Sequence, residues 1–144
     1  PKPRPTPRTR RYTLPPAMLR ALERTFGERV DHVEIVEHSR WARLHPGCSA
    51  TTRPNRILLA ISGDEFAARP DLVLHEFFHV LRQWQPRRLT RTRYVLESAR
   101  RGYWENRYEV EAREFVDAEL GRFRRLLRGE HDERGRFEEG ARLV

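Results

Sequence analysis

The run His75-Glu76-Phe77-Phe78-His79 places two metal-binding side chains and a proton acceptor at a fixed spacing. On a helix, residues four apart lie one turn apart on the same side, so the imidazoles of His75 and His79 can reach one metal ion. Glu76 follows the first histidine by one position, near an open coordination site, where a carboxylate can take a proton from a metal-bound water. This H-E-x-x-H arrangement is the core of a zinc hydrolase site, with Zn²⁺ as cofactor, His75 and His79 as ligands and Glu76 as general base.

The element that must position these groups is a helix over about residues 70–85, opened by Pro70-Asp71 and stopped by Pro86. Val73, Phe77, Val80, Leu81 and Trp84 recur at helical spacing, and Leu74 and Phe78 widen the stripe, so the helix should be buried on most sides. His75, Glu76 and His79 then share the remaining narrow face with Leu72, lining a cleft. Ionisable groups on so apolar a helix need partners, and a metal supplies one.

A zinc hydrolase needs a third protein ligand, leaving one position for water. Downstream, His131 falls in a polar tail, whereas a second helix over about residues 104–120 offers Glu105, Glu109, Glu111, Glu114 and Glu119. Its apolar periodicity runs through Tyr108, Ala112, Phe115, Val116 and Leu120, and Gly121 reads as an interruption before Phe123, Leu126 and Leu127.

The remaining elements frame this pair. Pro15-Pro16 opens a helix bearing Met18, Ala21, Leu22 and Phe26 on one face, and Gly27 ends it. Val33 to Glu37 alternates as a half-buried strand, and Ser39 to Leu44 suggests a helical turn before a Pro46-Gly47 turn. Ile57 to Ile61 is a continuous apolar strand, buried on both faces or beneath a helix, and Ser62-Gly63-Asp64 ends it. Between Pro86 and Gly102 no periodicity stands out; Arg87, Arg88, Arg91 and Arg93 form a basic run read as a solvated loop, with a substrate or phosphate clamp as the alternative. His32 and His38 read as surface or structural residues.

Composition bounds the rest. A chain of 144 residues with 38% hydrophobic content suits one domain, and no apolar run approaches membrane-spanning length. Residues 1–11 alternate proline with basic residues and read as a disordered arm, residues 12–128 as the folded domain, and residues 129–144 as a loose polar tail. No signal-peptide pattern opens the chain, and the single Cys48 excludes an internal disulfide and a cysteine-based zinc site, which suits a reducing compartment such as the cytoplasm. The net charge of +8, carried by 28 Arg and one Lys, favours an acidic partner. The basic residues are scattered and show no nucleic-acid-binding motif, so nucleic acid is not the favoured partner.

Glu109-Val110-Glu111-Ala112-Arg113 resembles the E-x-x-A-[D/N] segment of gluzincins, metallopeptidases whose third zinc ligand is that first Glu. Arg113 departs from the pattern. Leu14-Pro15-Pro16, Leu22-Glu23, Phe26-Gly27, Val33, Thr52, Asn55 to Leu59 and Leu74 to Gln83 follow an order similar to the small metallopeptidase domain of bacterial proteins associated with extracellular contractile injection systems. The resemblance spans roughly residues 14–116 and implies an α+β, minimal zincin-like fold: mainly helical, with a small sheet whose strand 57–61 borders the cleft and can pair with an extended peptide. It implies Zn²⁺ held by His75, His79 and Glu109. Glu109 also borders the core-facing stripe between Ala112 and Val116, while Glu111 and Glu114 fall toward solvent. Glu105 lies one turn earlier, and Glu119 lies beyond Ala112.

The expectation is therefore a zinc metallopeptidase acting on a protein or peptide, with an oxyanion donor among Tyr94, Tyr103, Tyr108 and nearby arginines. Small zincins also resemble SprT-like and ImmA-type proteases that act on DNA-bound proteins or repressors. A third possibility is a non-catalytic, zinc-stabilised module of a secretion or injection assembly, against which the intact Glu76 argues.

Overall fold

The computed structural model describes residues 8–44 and 47–130. Within them α1 (Pro16–Phe26) starts where proline's fixed φ suits a first helical turn. It ends at Gly27, whose φ of 70° forms a left-handed cap returning its N–H to the Glu23 carbonyl at 2.8 Å. Met18, Ala21, Leu22 and Phe26 are its buried face.

Four short strands, β1 (Arg10–Tyr12), β2 (Glu34–Glu37), β3 (Ala50–Arg53) and β4 (Arg56–Leu59), form one sheet in the order β1-β2-β4-β3. β2 and β4 run parallel with Ile35 opposite Ile57, and each outer strand pairs antiparallel. The parallel crossover carries α2 (Arg40–Arg43) and β3. Ile57, Leu58 and Leu59 are all buried, so β4 is covered on both faces, as its continuous apolar run predicts. Pro54-Asn55 closes the tight β3–β4 turn, with Asn55 at a φ of 56° that asparagine tolerates.

Two strand assignments differ from expectation. Arg10 and Arg11, expected within a disordered arm over residues 1–11, belong to β1 and form ion pairs with Glu37 and Glu34 of β2. The Tyr12 ring lies against Gly63, where any side chain would run into it, and its hydroxyl meets Asp64 at 3.0 Å. The strand bordering the cleft is β3, not residues 57–61, because the sheet order encloses β4 between two neighbours and leaves β3 at the edge. Residues 1–7 and 131–144, and Pro46 of the expected turn, lie outside the described residues.

The helices follow. α3 (Gly63–Ala67) is capped by Ser62, which accepts the Glu65 N–H at 3.1 Å. α4 (Pro70–Phe78) runs on into a π-helical segment, His79–Trp84, where the Gln85 N–H reaches the Val80 carbonyl at 2.9 Å. α5 (Arg91–Glu105) occupies the stretch read as a solvated loop, and it has no buried residue. α6 (Arg107–Leu127) starts later than expected, at a cap formed by Asn106, and passes through Gly121 without interruption because the fully buried Phe123 anchors its far end. Phe115 on α6 stacks on Phe26 of α1 at 5.0 Å and packs on Phe78 of α4 at 4.9 Å, so α6 is the spine joining the helices. The result is a small α+β domain, mainly helical with one sheet, as the sequence predicts.

Candidate metal centre

The apolar stripe of α4 turns Val73, Leu74 and Phe77 into the core, which leaves His75, Glu76 and His79 on the side facing α6 and the sheet edge. From the first turn of α6, Glu109 comes across to meet them. Ala112, one turn further on, is fully buried and lets the two helices approach. The Glu109 Oε2 lies 2.9 Å from His75 Nε2 and 3.3 Å from His79 Nε2, and the two Nε2 atoms are 3.1 Å apart. Ligand atoms about 2.0–2.1 Å from a tetrahedral zinc stand about 3.3 Å from one another, so this donor set fits such an ion in both spacing and type. Together the three residues could hold a metal ion.

The local electrostatics follow from burial. Glu109 is 5% exposed, yet His75 and His79 offset the desolvation and hold its carboxyl well below the usual carboxylate range. Burial also works against a charged His79, but Glu109 outweighs it and raises that imidazole. Burial pushes the Glu76 carboxyl up, with His79 and His75 opposing. No described residue gives the Glu76 carboxylate a hydrogen bond or ion pair, and this side chain lines the cleft.

Of the five candidate carboxylates, Glu109 alone joins the histidines among the described residues. Glu105, expected on the same helix face as Glu109 one turn earlier, belongs to α5 instead, because the extended backbone at Asn106 separates α5 from α6. Glu111 pairs with Arg88 at 2.9 Å, Glu119 faces Arg122 at 3.8 Å, and Glu114 is exposed.

Two supporting residues escaped the sequence reading. Gln83, fully buried, accepts from His79 Nδ1 at 2.6 Å and donates to the Tyr108 carbonyl at 2.9 Å and to Glu111 Oε2 at 3.2 Å. With its amide nitrogen committed to donation, its oxygen keeps the proton on His79 Nδ1 and leaves Nε2 free for a metal. The second is Tyr94, read only as an oxyanion candidate, whose hydroxyl donates to Glu109 Oε1 at 3.0 Å. Gln83 carried a usable signal, as a polar residue one turn after His79 on an apolar helix. Position 113 plays no such part: the Arg113 guanidinium lies 3.8 Å over the Trp104 ring and donates to the Trp104 carbonyl.

The site opens into a cleft of about 390 Å³ between β3 and α5. Trp84 Nε1 donates to Thr52 Oγ1 at 3.0 Å, so the end of the π-helical segment holds the edge strand in place. Tyr94 and Tyr103 line the cleft, whereas Tyr108 turns its hydroxyl to the Arg88 carbonyl and lies outside it. α5 loses helical geometry at Gly102, with a φ of 75°, immediately before Tyr103. Although about half of the Tyr103 side chain is exposed, partial desolvation where it lines the cleft, then Glu109, pushes its hydroxyl up, so it stays protonated. His32 bonds Gln85 at 3.0 Å, in keeping with a structural role.

A family model, the eCIS core domain, matches residues 13–87, just over half of the 144-residue chain. The match takes in β3, His75, Glu76, His79 and Gln83 and stops before Glu109. No curated protein and no solved structure matches the chain. With that extent of match the chain belongs to the eCIS core domain family, which links it to extracellular contractile injection system proteins.

Proposed function

We propose that this domain is a zinc metallopeptidase serving an injection-system assembly. One observation carries the reading: three donor atoms spaced for a tetrahedral ion share a cleft with a carboxylate, Glu76, that no described residue engages. His75, His79 and Glu109 would hold the ion. A zinc ion held there would supply Lewis acidity toward a peptide carbonyl and would lower the pKa of a water to about 7. Glu76 takes the proton of the attacking water on its carboxylate and passes it to the departing amine. Gln83 and Tyr94 hold His79 and Glu109 in place. Tyr103, lining the cleft with its proton retained, is positioned to donate to the carbonyl oxygen as charge develops on it. The free edge of β3 offers backbone groups to an extended polypeptide. No helix among the described residues is long and apolar enough to cross a membrane, and we place the activity in the bacterial cytoplasm or after export by the injection apparatus.

Family membership also favours a second reading, a module of the assembly in which zinc only stabilises the fold. Elemental analysis and proteome-wide cleavage mapping with a Glu76→Gln control separate the two. A peptidase shows about one zinc per chain, and Glu76→Gln keeps the metal while its cleavage products vanish. A chain that binds zinc and cuts nothing supports the module, and one that refuses zinc defeats both.

A further inference from the structure

Arg53, the last residue of β3, and Arg91, the first of α5, line the same cleft as the metal donors. Both also line an adjoining depression with His32, Glu34 and Arg56, so they stand where the cleft opens outward. No carboxylate among the described residues pairs with either one. Arg53 donates to the neighbouring Thr52 carbonyl at 2.9 Å, and Arg91 makes no hydrogen bond or ion pair with a described residue. Glu34 is already shared by Arg11 at 3.2 Å and Arg56 at 3.5 Å. By contrast, Arg88 pairs with Glu111, and Arg93 bonds the Arg87 and Arg88 carbonyls. Burial lowers the Arg53 pKa and Arg91 lowers it further, as two like charges facing one space require. α5, helical from Arg91 up to the break at Gly102, begins at the same place, and its N-terminus adds positive potential.

The location indicates what these charges face. A second depression on the other side of the centre shares Cys48, His75, Glu76, Tyr103 and, of β3, Ala50 alone with the cleft, and reaches neither Arg53 nor Arg91. Ala50 therefore sits level with the reacting centre, and Arg53 lies three residues further along the edge strand. At about 3.3 Å per residue, a peptide laid along β3 brings a side chain two or three residues from the scissile bond to Arg53. We propose that Arg53 and Arg91 form a subsite for an anionic side chain, so that the polypeptide recognised carries Asp or Glu within about three residues of the scissile bond, on one side of it. One carboxylate between two guanidiniums relieves their mutual repulsion and accepts charge-assisted hydrogen bonds from both. This subsite rests on the peptidase reading for its substrate, but its binding chemistry can be measured separately.

The test uses a randomised library of acetylated, amidated decapeptides, whose blocked ends leave only side chains to supply charge. Zinc-loaded protein should cleave peptides enriched in Asp or Glu at one position near the cut. Arg53→Gln and Arg91→Gln should each lower kcat/KM for those peptides by about 10- to 100-fold, a larger loss than for neutral ones, and Arg53→Lys should retain part of the preference. Binding is read in parallel by retention of the same library on zinc-loaded Glu76→Gln protein. If wild-type protein cuts nothing, the peptidase reading fails while retention of acidic peptides, lost in the arginine variants, still supports the subsite. Cleavage or retention without acidic enrichment, or enrichment indifferent to both arginines, overturns it. So does a preference that appears only when the peptides carry a free C-terminal carboxylate, or retention of a single-stranded oligonucleotide through these arginines in place of peptide.

Discussion

Beside the β3 edge, two walls of the cleft are built by different physics. One is α4 with its π-helical extension, backed by α6, where Val73, Leu74, Phe77, Val80 and Ala112 are almost wholly buried. The other is α5, which buries no residue and exposes Val95, Leu96, Tyr103 and Trp104. Hydrogen bonds hold α5 instead: Tyr94 to Glu109 at 3.0 Å, Asn106 to Ser98 at 2.9 Å, and Arg93 to the Arg88 carbonyl at 2.9 Å. Close packing fixes side-chain positions to the tolerance a metal needs, so the three donors sit on the packed wall. A wall held by a few partly exposed polar contacts opens at lower free energy, which suits a surface that must admit and release a polypeptide.

The largest expected effect tests the packed wall's chemistry. Glu76→Gln should lower peptide cleavage by about 10²–10⁴-fold with zinc content unchanged; loss of zinc instead would make Glu76 a ligand. Next comes packing. Phe77→Ala should cost about 3–5 kcal/mol in denaturant unfolding, whereas Val95→Ala on α5 should stay within about 0.5 kcal/mol. Equal costs would erase the distinction between the walls.

Two smaller effects sharpen the contrast. Gln83→Leu should weaken zinc binding by about 10- to 100-fold in a chelator competition, and Tyr94→Phe less, because Tyr94 reaches the donors from the looser wall. The reverse ranking would mean that α5 organises the site. Asn106→Ala, removing the cap and the link to Ser98, should cost about 1 kcal/mol and speed amide exchange across α5 while α4 stays protected. Uniform exchange in both helices would show that they open as one unit.

The two walls also differ in how legible they are from residues alone. Burial leaves a periodic trace, so the helix bearing His75, Glu76 and His79 can be read from Val73, Phe77, Val80, Leu81 and Trp84. The α6 stripe likewise marks Glu109 as bordering the core. α5 leaves no such trace, because nothing on it is buried and its anchors are single polar side chains. β3 was missed for a related reason: Ala50-Thr51-Thr52-Arg53 has no apolar alternation, and its strand geometry comes from pairing with β4.

The donor types, the one-turn spacing of the histidines, the carboxylate beside them and the apolar helices that carry them are all written in the order of residues, since these depend on local periodicity and side-chain chemistry. Folding in three dimensions is what carries Glu109, already marked by its place beside the core-facing stripe, across to the histidines. It also decided that β3 is the exposed edge, that Gln83 and Tyr94 steady the donors, and that Arg53 and Arg91 face one space. Each of these depends on how helices and strands distant in sequence come to lie against one another, and the order of residues along the chain carries no direct record of that.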